Sequence, residues 1–80
     1  MPRALTSLAV FALCSCGPTQ ECRDYVACQN AVDATVDVSA YDEGGSCWVL
    51  PSSSRDCTAN CIEALKALQQ VPDAPAVCGP

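Results

Sequence analysis

Ser53-Ser54-Arg55-Asp56-Cys57-Thr58-Ala59-Asn60-Cys61-Ile62-Glu63-Ala64-Leu65-Lys66-Ala67-Leu68 is the stretch that decides the fold class. Cys57, Cys61, Ala64, Leu65 and Leu68 recur at i, i+4, i+7, i+8 and i+11, so they share one narrow helical face. Asp56, Asn60, Glu63 and Lys66 lie off that face. The pattern is an amphipathic helix whose apolar stripe opens on two cysteines one turn apart. Ser53-x-x-Asp56 resembles a capping box, with Asp where Glu is usual, and predicts the start of the helix. Pro72 predicts its end, because the residue before a proline avoids helical geometry.

Working towards the amino terminus, Thr19 to Val32 reads as a first helix. Thr19 can cap it, and Glu21 and Asp24 favour its early turns. Cys22, Tyr25, Val26, Cys28 and Val32 fall on about half of its circumference. Residues 33–54 are less regular. Val36 and Val38 alternate with polar residues, over too few positions to define a strand. Tyr41-Asp42-Glu43-Gly44-Gly45-Ser46 is a turn with glycines free to take positive φ. Trp48-Val49-Leu50 is a short apolar insert stopped by Pro51. Beyond Pro72, Asp73-Ala74-Pro75 reads as a stiff extended arm leading to Cys78.

Eighty residues allow one domain, and eight of them are cysteine. A chain this small buries little apolar surface, so covalent staples are expected. Cysteine at that density signals a disulfide scaffold, and disulfides imply an oxidising, exported destination. The expected fold is small, all-α and disulfide-rich: a two-helix hairpin with a long connecting loop. With the two helices antiparallel, Cys28 faces Cys61. The tail then returns Cys78 to Cys22, and Cys47 meets Cys57 at the helix entrance. Six cysteines permit fifteen pairings, so this one is a geometric preference.

The amino terminus carries an export signal. Met1-Pro2-Arg3 supplies one positive charge, and Ala4 to Leu13 is an apolar run of signal-peptide length, too short to span a bilayer as a mature helix. Leu13-Cys14-Ser15-Cys16 resembles a bacterial lipobox, with Leu at minus three and a small residue before the cysteine that takes lipid. Cys14 at minus two departs from the usual pattern. A cut before Cys16 leaves Cys22, Cys28, Cys47, Cys57, Cys61 and Cys78, an even set for three bonds. A cut before Cys14 leaves a thiol orphaned. A cut after Ala12 leaves an even set as well, so parity leaves two options open. The lipobox resemblance favours the first. Residues 1–15 are then a lipoprotein signal peptide, 16–20 a lipidated tether, and 21–80 the stapled domain.

Cys22-x-x-Tyr25-x-x-Cys28, Gly45-Ser46-Cys47-Trp48 and Cys57-Thr58-Ala59-Asn60-Cys61 together resemble the small cysteine-rich predicted lipoproteins of myxobacterial type. The resemblance implies a cell-envelope address with a membrane anchor on Cys16, and it brings no activity. Gly17 does not resemble the aspartate that retains enteric lipoproteins at the inner membrane, so the outer membrane is the expected destination.

Nine acidic residues stand against Arg3, Arg23, Arg55 and Lys66, a net charge of −5, and loss of Arg3 with a leader makes the balance more acidic. Nucleic-acid binding needs basic patches, so no nucleic-acid partner is expected. The chain has no histidine to activate a nucleophile, and no catalytic residue is assigned. Asp33 and Asp37 read as solvated carboxylates. Neither C-x2-C knuckles nor an EF-hand pattern is present, so no metal site and no cofactor are expected. The functional expectation is an envelope lipoprotein acting as a structural or binding module, with an unidentified envelope partner. The alternative is a secreted effector, toxin or inhibitor-like peptide presenting Trp48 to Asp56 as a clamped loop. Trp48 is expected to plug the core. The competing possibility is an exposed interaction patch of Trp48, Val49 and Leu50.

Overall fold

The computed structural model describes residues 17–80. The leader assigned to residues 1–15 and the lipidation assigned to Cys16 lie outside the described residues. Two α-helices dominate, α1 (Gln20–Val32) and α2 (Pro51–Gln69), with short 3-10 turns at Ser39–Tyr41, Ser46–Trp48 and Ala76–Cys78. The described residues contain no strand. The domain is all-α and disulfide-rich.

Thr19 occupies the N-cap of α1, and its carbonyl accepts from Arg23 N at 3.0 Å. Its hydroxyl does not cap the helix. It sits 3.0 Å from the Thr58 hydroxyl on α2. α2 starts earlier than the Ser53 capping box predicts, with Leu50 as N-cap and Pro51 in the first turn. Proline is preorganised for that place, since its φ is already helical and its missing N–H would have had no partner. Ser54 N donates to Leu50 O at 3.0 Å, which closes the first turn and leaves Ser53 inside the helix.

Cys57, Ala64, Leu65 and Leu68 pack against the core, and Cys61 lies within it, as the helical period predicts. On α1 the buried positions are Cys22, Tyr25, Cys28 and Gln29. Val32, expected on that face, is exposed, at the end of the helix where the chain turns away at Asp33. Gln29 takes the inward place, and its Nε2 donates to Asp33 O at 3.5 Å.

Cys22 pairs with Cys61, Cys28 with Cys78 and Cys47 with Cys57, at Cα–Cα distances of 5.0, 4.6 and 5.8 Å. These are ordinary disulfide spans. The expected Cys47–Cys57 bond is present. The expected Cys22–Cys78 and Cys28–Cys61 bonds are replaced by an exchange of partners.

The exchange has a geometric cause: the helices run in the same direction, not antiparallel. Thr19 and Cys22 on the first side meet Thr58 and Cys61 on the second, in the same order. Three steps along antiparallel helices from the Cys22–Cys61 bond would separate Thr19 and Thr58 by about 9 Å along the axes, at 1.5 Å rise per residue. The far ends meet too, since Cys78 is bonded to Cys28 and its carbonyl accepts from Gln69 Nε2 at 2.7 Å. A short loop would have forced neighbouring helices antiparallel. Residues 33–50 are long enough to run back along the whole of α1 before α2 begins.

That return segment carries much of the core. Val38, Cys47 and Trp48 are buried, and Ala40 and Tyr41 pack beside them. The Tyr25 and Tyr41 rings meet edge to face, with centroids 5.3 Å apart and planes at 80°. Val36 remains exposed. Gly44 takes φ +76° in the turn that brings Gly45 N to Asp42 O at 2.8 Å. Gly45 lies where the two 3-10 turns touch. A Cβ there would sit 2.5 Å from Ser39 O, 2.6 Å from Ala40 C, and closer still to Ala40 O. Those atoms are backbone and cannot swing aside. Gly45→Ala is therefore expected to destabilise the domain by about 2–3 kcal/mol through overpacking, measured by thermal or denaturant unfolding. Unchanged stability would show that the two turns are not held in this contact.

At the carboxyl end, Asp73 adopts φ 59° within a turn, so residues 73–75 bend the tail back where an extended arm was expected. Aspartate tolerates this left-handed conformation better than most side chains.

Candidate functional site

Parallel packing gathers three features at one end of the domain. The first is the described amino terminus, Gly17 and Pro18, which leads into α1. The second is the turn at Asp42 to Gly45. The third is the Trp48-Val49-Leu50 step that leads into α2.

A shallow cleft of about 330 Å³ lies between the first two, lined by Pro18, Arg23, Val26, Ala27, Tyr41, Asp42 and Glu43. Arg23 reaches back along its helix, and its Nε donates to Pro18 O at 3.2 Å. Val26 and Tyr41 also pack against the core, so the apolar part of the cleft wall is rigidly backed. The cleft presents a guanidinium and two carboxylates over an apolar surface, which is the chemistry of a contact face. It has no signature in the sequence. Its residues come from three separated segments, and only the return of the connector along α1 brings them together.

The structure divides the apolar insert. Trp48 is 6% exposed, and its Nε1–H donates to Tyr41 O at 3.2 Å. The expected core plug is therefore in place, with the polar end of the indole satisfied. Val49 and Leu50 point away from it, 72% and 57% exposed. The loop read as a clamped presentation segment is helical from Pro51 onward, so Trp48 to Asp56 offers no extended strand to a partner.

Asp33 and Asp37 serve local structure. The Asp33 carboxylate accepts from the Thr35 backbone and hydroxyl, and Asp37 accepts from Ser39 N at 2.9 Å. These bonds favour the charged form and hold both carboxyls below their ordinary range; for Asp33 the Thr35 hydroxyl is the larger cause, and for Asp37 the Ser39 backbone. Burial, and then the neighbouring Tyr41, push the Tyr25 phenol above its usual value.

Cys22, Cys28, Cys47, Cys57, Cys61 and Cys78 are all committed to disulfides. Among the described residues, no group of three His, Cys, Asp or Glu side chains is placed to hold a metal ion. Among the same residues, no helix is long and apolar enough to cross a membrane.

The fold and cysteine framework define a small all-α domain stapled by three disulfides. Comparison with protein-family models, with curated proteins and with solved structures gives no match.

Proposed function

We propose that this chain is a cell-envelope lipoprotein, anchored through Cys16, whose stapled domain acts as a structural or binding module. The observation that carries the reading is the framework itself. Among the described residues all six cysteines are paired in three disulfides, the set that a cut before Cys16 in the Leu13-Cys14-Ser15-Cys16 lipobox requires. The resemblance to small myxobacterial-type lipoproteins supports the same address. Gly17 and Pro18 connect Cys16 directly to α1, so a lipid on Cys16 would hold the domain close to the bilayer. The cleft beside Arg23, Asp42 and Glu43 is the natural place for an envelope protein partner to touch the anchored domain.

Cys16→Ser is expected to abolish incorporation of labelled fatty acid and to shift the protein from membranes to the soluble fraction. Intact mass of the wild-type chain should show a diacyl or triacyl addition on an amino-terminal Cys16. A mass that begins at Leu13 with no lipid would establish the secreted alternative instead.

A further inference from the structure

Val49 and Leu50 are the most exposed large apolar side chains among the described residues, and they are adjacent. Trp48, Tyr41 and the Cys47–Cys57 bond hold the backbone beneath them, so the step is rigid. An exposed apolar pair on a supported backbone can take an occupant.

Their position identifies one. The hydroxyls of Thr19 and Thr58 fix a common level on the two parallel helices. From that level α2 continues back to Pro51, which carries Leu50 roughly 12 Å beyond it at 1.5 Å per residue. From the same level the chain runs from Thr19 back to Cys16, a reach of up to roughly 10 Å at 3.3 Å per residue. The short reach from Thr19 keeps the lipid-bearing residue at the same end of the domain as the apolar step. A bilayer that receives the acyl chains of Cys16 would meet Val49 and Leu50 next.

We propose that Val49 and Leu50 form a second, non-covalent foot that rests in the bilayer interface beside the lipid on Cys16. This inference rests on the anchoring reading above. One acyl attachment point leaves a domain free to swivel; a second apolar contact would fix which face looks away from the membrane. Asp42, Glu43 and Asp56 lie towards the same end and outnumber Arg23 and Arg55 there, so anionic headgroups supply no attraction. The contact is apolar and extends to zwitterionic phosphatidylcholine.

The test uses the lipidated full chain in phosphatidylcholine vesicles that contain a dibrominated phosphatidylcholine. Val49→Trp and Val77→Trp each add one indole at an exposed site, Val77 lying at the opposite end beside Cys78. Emission is taken as the difference from the parent protein. The added emission of Val49→Trp should fall about twofold or more, consistent with an apolar foot sunk some 5–10 Å into the interface. That of Val77→Trp should be unchanged. A lipid mass on Cys16 with no quenching of Val49→Trp, or with equal quenching of both variants, overturns the foot and leaves the anchor standing. A concentration-dependent dimer that shields Val49→Trp from bromine overturns it as well. A chain without lipid on Cys16 overturns the anchor and the foot together.

Discussion

Trypsin digestion of the non-reduced protein should yield one disulfide-linked cluster of four peptides. Cleavage after Arg23, Arg55 and Lys66 puts Cys22 in the first peptide, Cys28 and Cys47 in the second, Cys57 and Cys61 in the third, and Cys78 in the last. Pairing Cys22 with Cys61, Cys28 with Cys78 and Cys47 with Cys57 links all four. The exchanged pairing would give two separate clusters, the first peptide with the last and the second with the third. Two clusters would therefore refute the parallel arrangement of α1 and α2. The energetic counterpart is a ranking. The Cys28–Cys78 and Cys22–Cys61 bonds span 50 and 39 residues, against 10 for Cys47–Cys57. Chain-entropy scaling gives about 4 kcal/mol for each long loop and about 2.5–3 kcal/mol for the short one. Cys22→Ala with Cys61→Ala should cost the larger amount, with a further loss from the emptied core site, since both cysteines are fully buried. For a small domain that is a large part of the total stability. Unfolding that is insensitive to this double substitution would mean that the helices hold together without the staple.

Trp48→Ala should cost about 3–5 kcal/mol, the range for removing a large aromatic from a packed core. The indole touches a cluster made otherwise of cysteines, two tyrosines, valine, alanine and leucine, so little neighbouring volume can collapse into the space. Trp48→Phe separates packing from polarity. It keeps most of the apolar contact and removes the Nε1–H bond to Tyr41 O, for an expected loss of about 1 kcal/mol from the hydrogen bond. Emission from the native protein should be blue-shifted and poorly quenched by acrylamide. Water-like emission with unchanged stability in Trp48→Ala would place the indole outside and make residues 48–50 a single exposed patch.

These two experiments address different levels of the fold. The buried face of α2 was legible because it depends only on a period of 3.6 residues, and Cys57, Cys61, Ala64, Leu65 and Leu68 occupy it as read. The Ser53 capping box places the start of the same helix three residues late. Ser53 and Asp56 offered a side-chain cap, but Pro51 had already fixed the backbone. Cys47–Cys57 was legible because ten residues and a helix entrance leave those cysteines few other partners. The candidate contact surfaces were only partly legible. Trp48-Val49-Leu50 was marked as one unit, yet the hydrogen bond to Tyr41 O draws Trp48 inward and leaves Val49 and Leu50 outside. The cleft at Arg23, Asp42 and Glu43 left no local signature, since charged residues near a turn look the same whether or not a helix lies beside them.

By itself, the sequence determined the two helices, the stapled all-α class and an even number of cysteines for disulfides. Each of these follows from periodicity, composition or parity, which are local or countable. Only the tertiary structure decided the direction of α1 relative to α2, and with it the partners of Cys22, Cys28, Cys61 and Cys78. The physical reason lies in residues 33–50. A connector long enough to return along α1 costs little more closure entropy than a shorter one, so chain length does not select a direction. The choice passes to contacts between distant residues: Tyr25 against Tyr41, Thr19 against Thr58, and Trp48 over the entrance to α2.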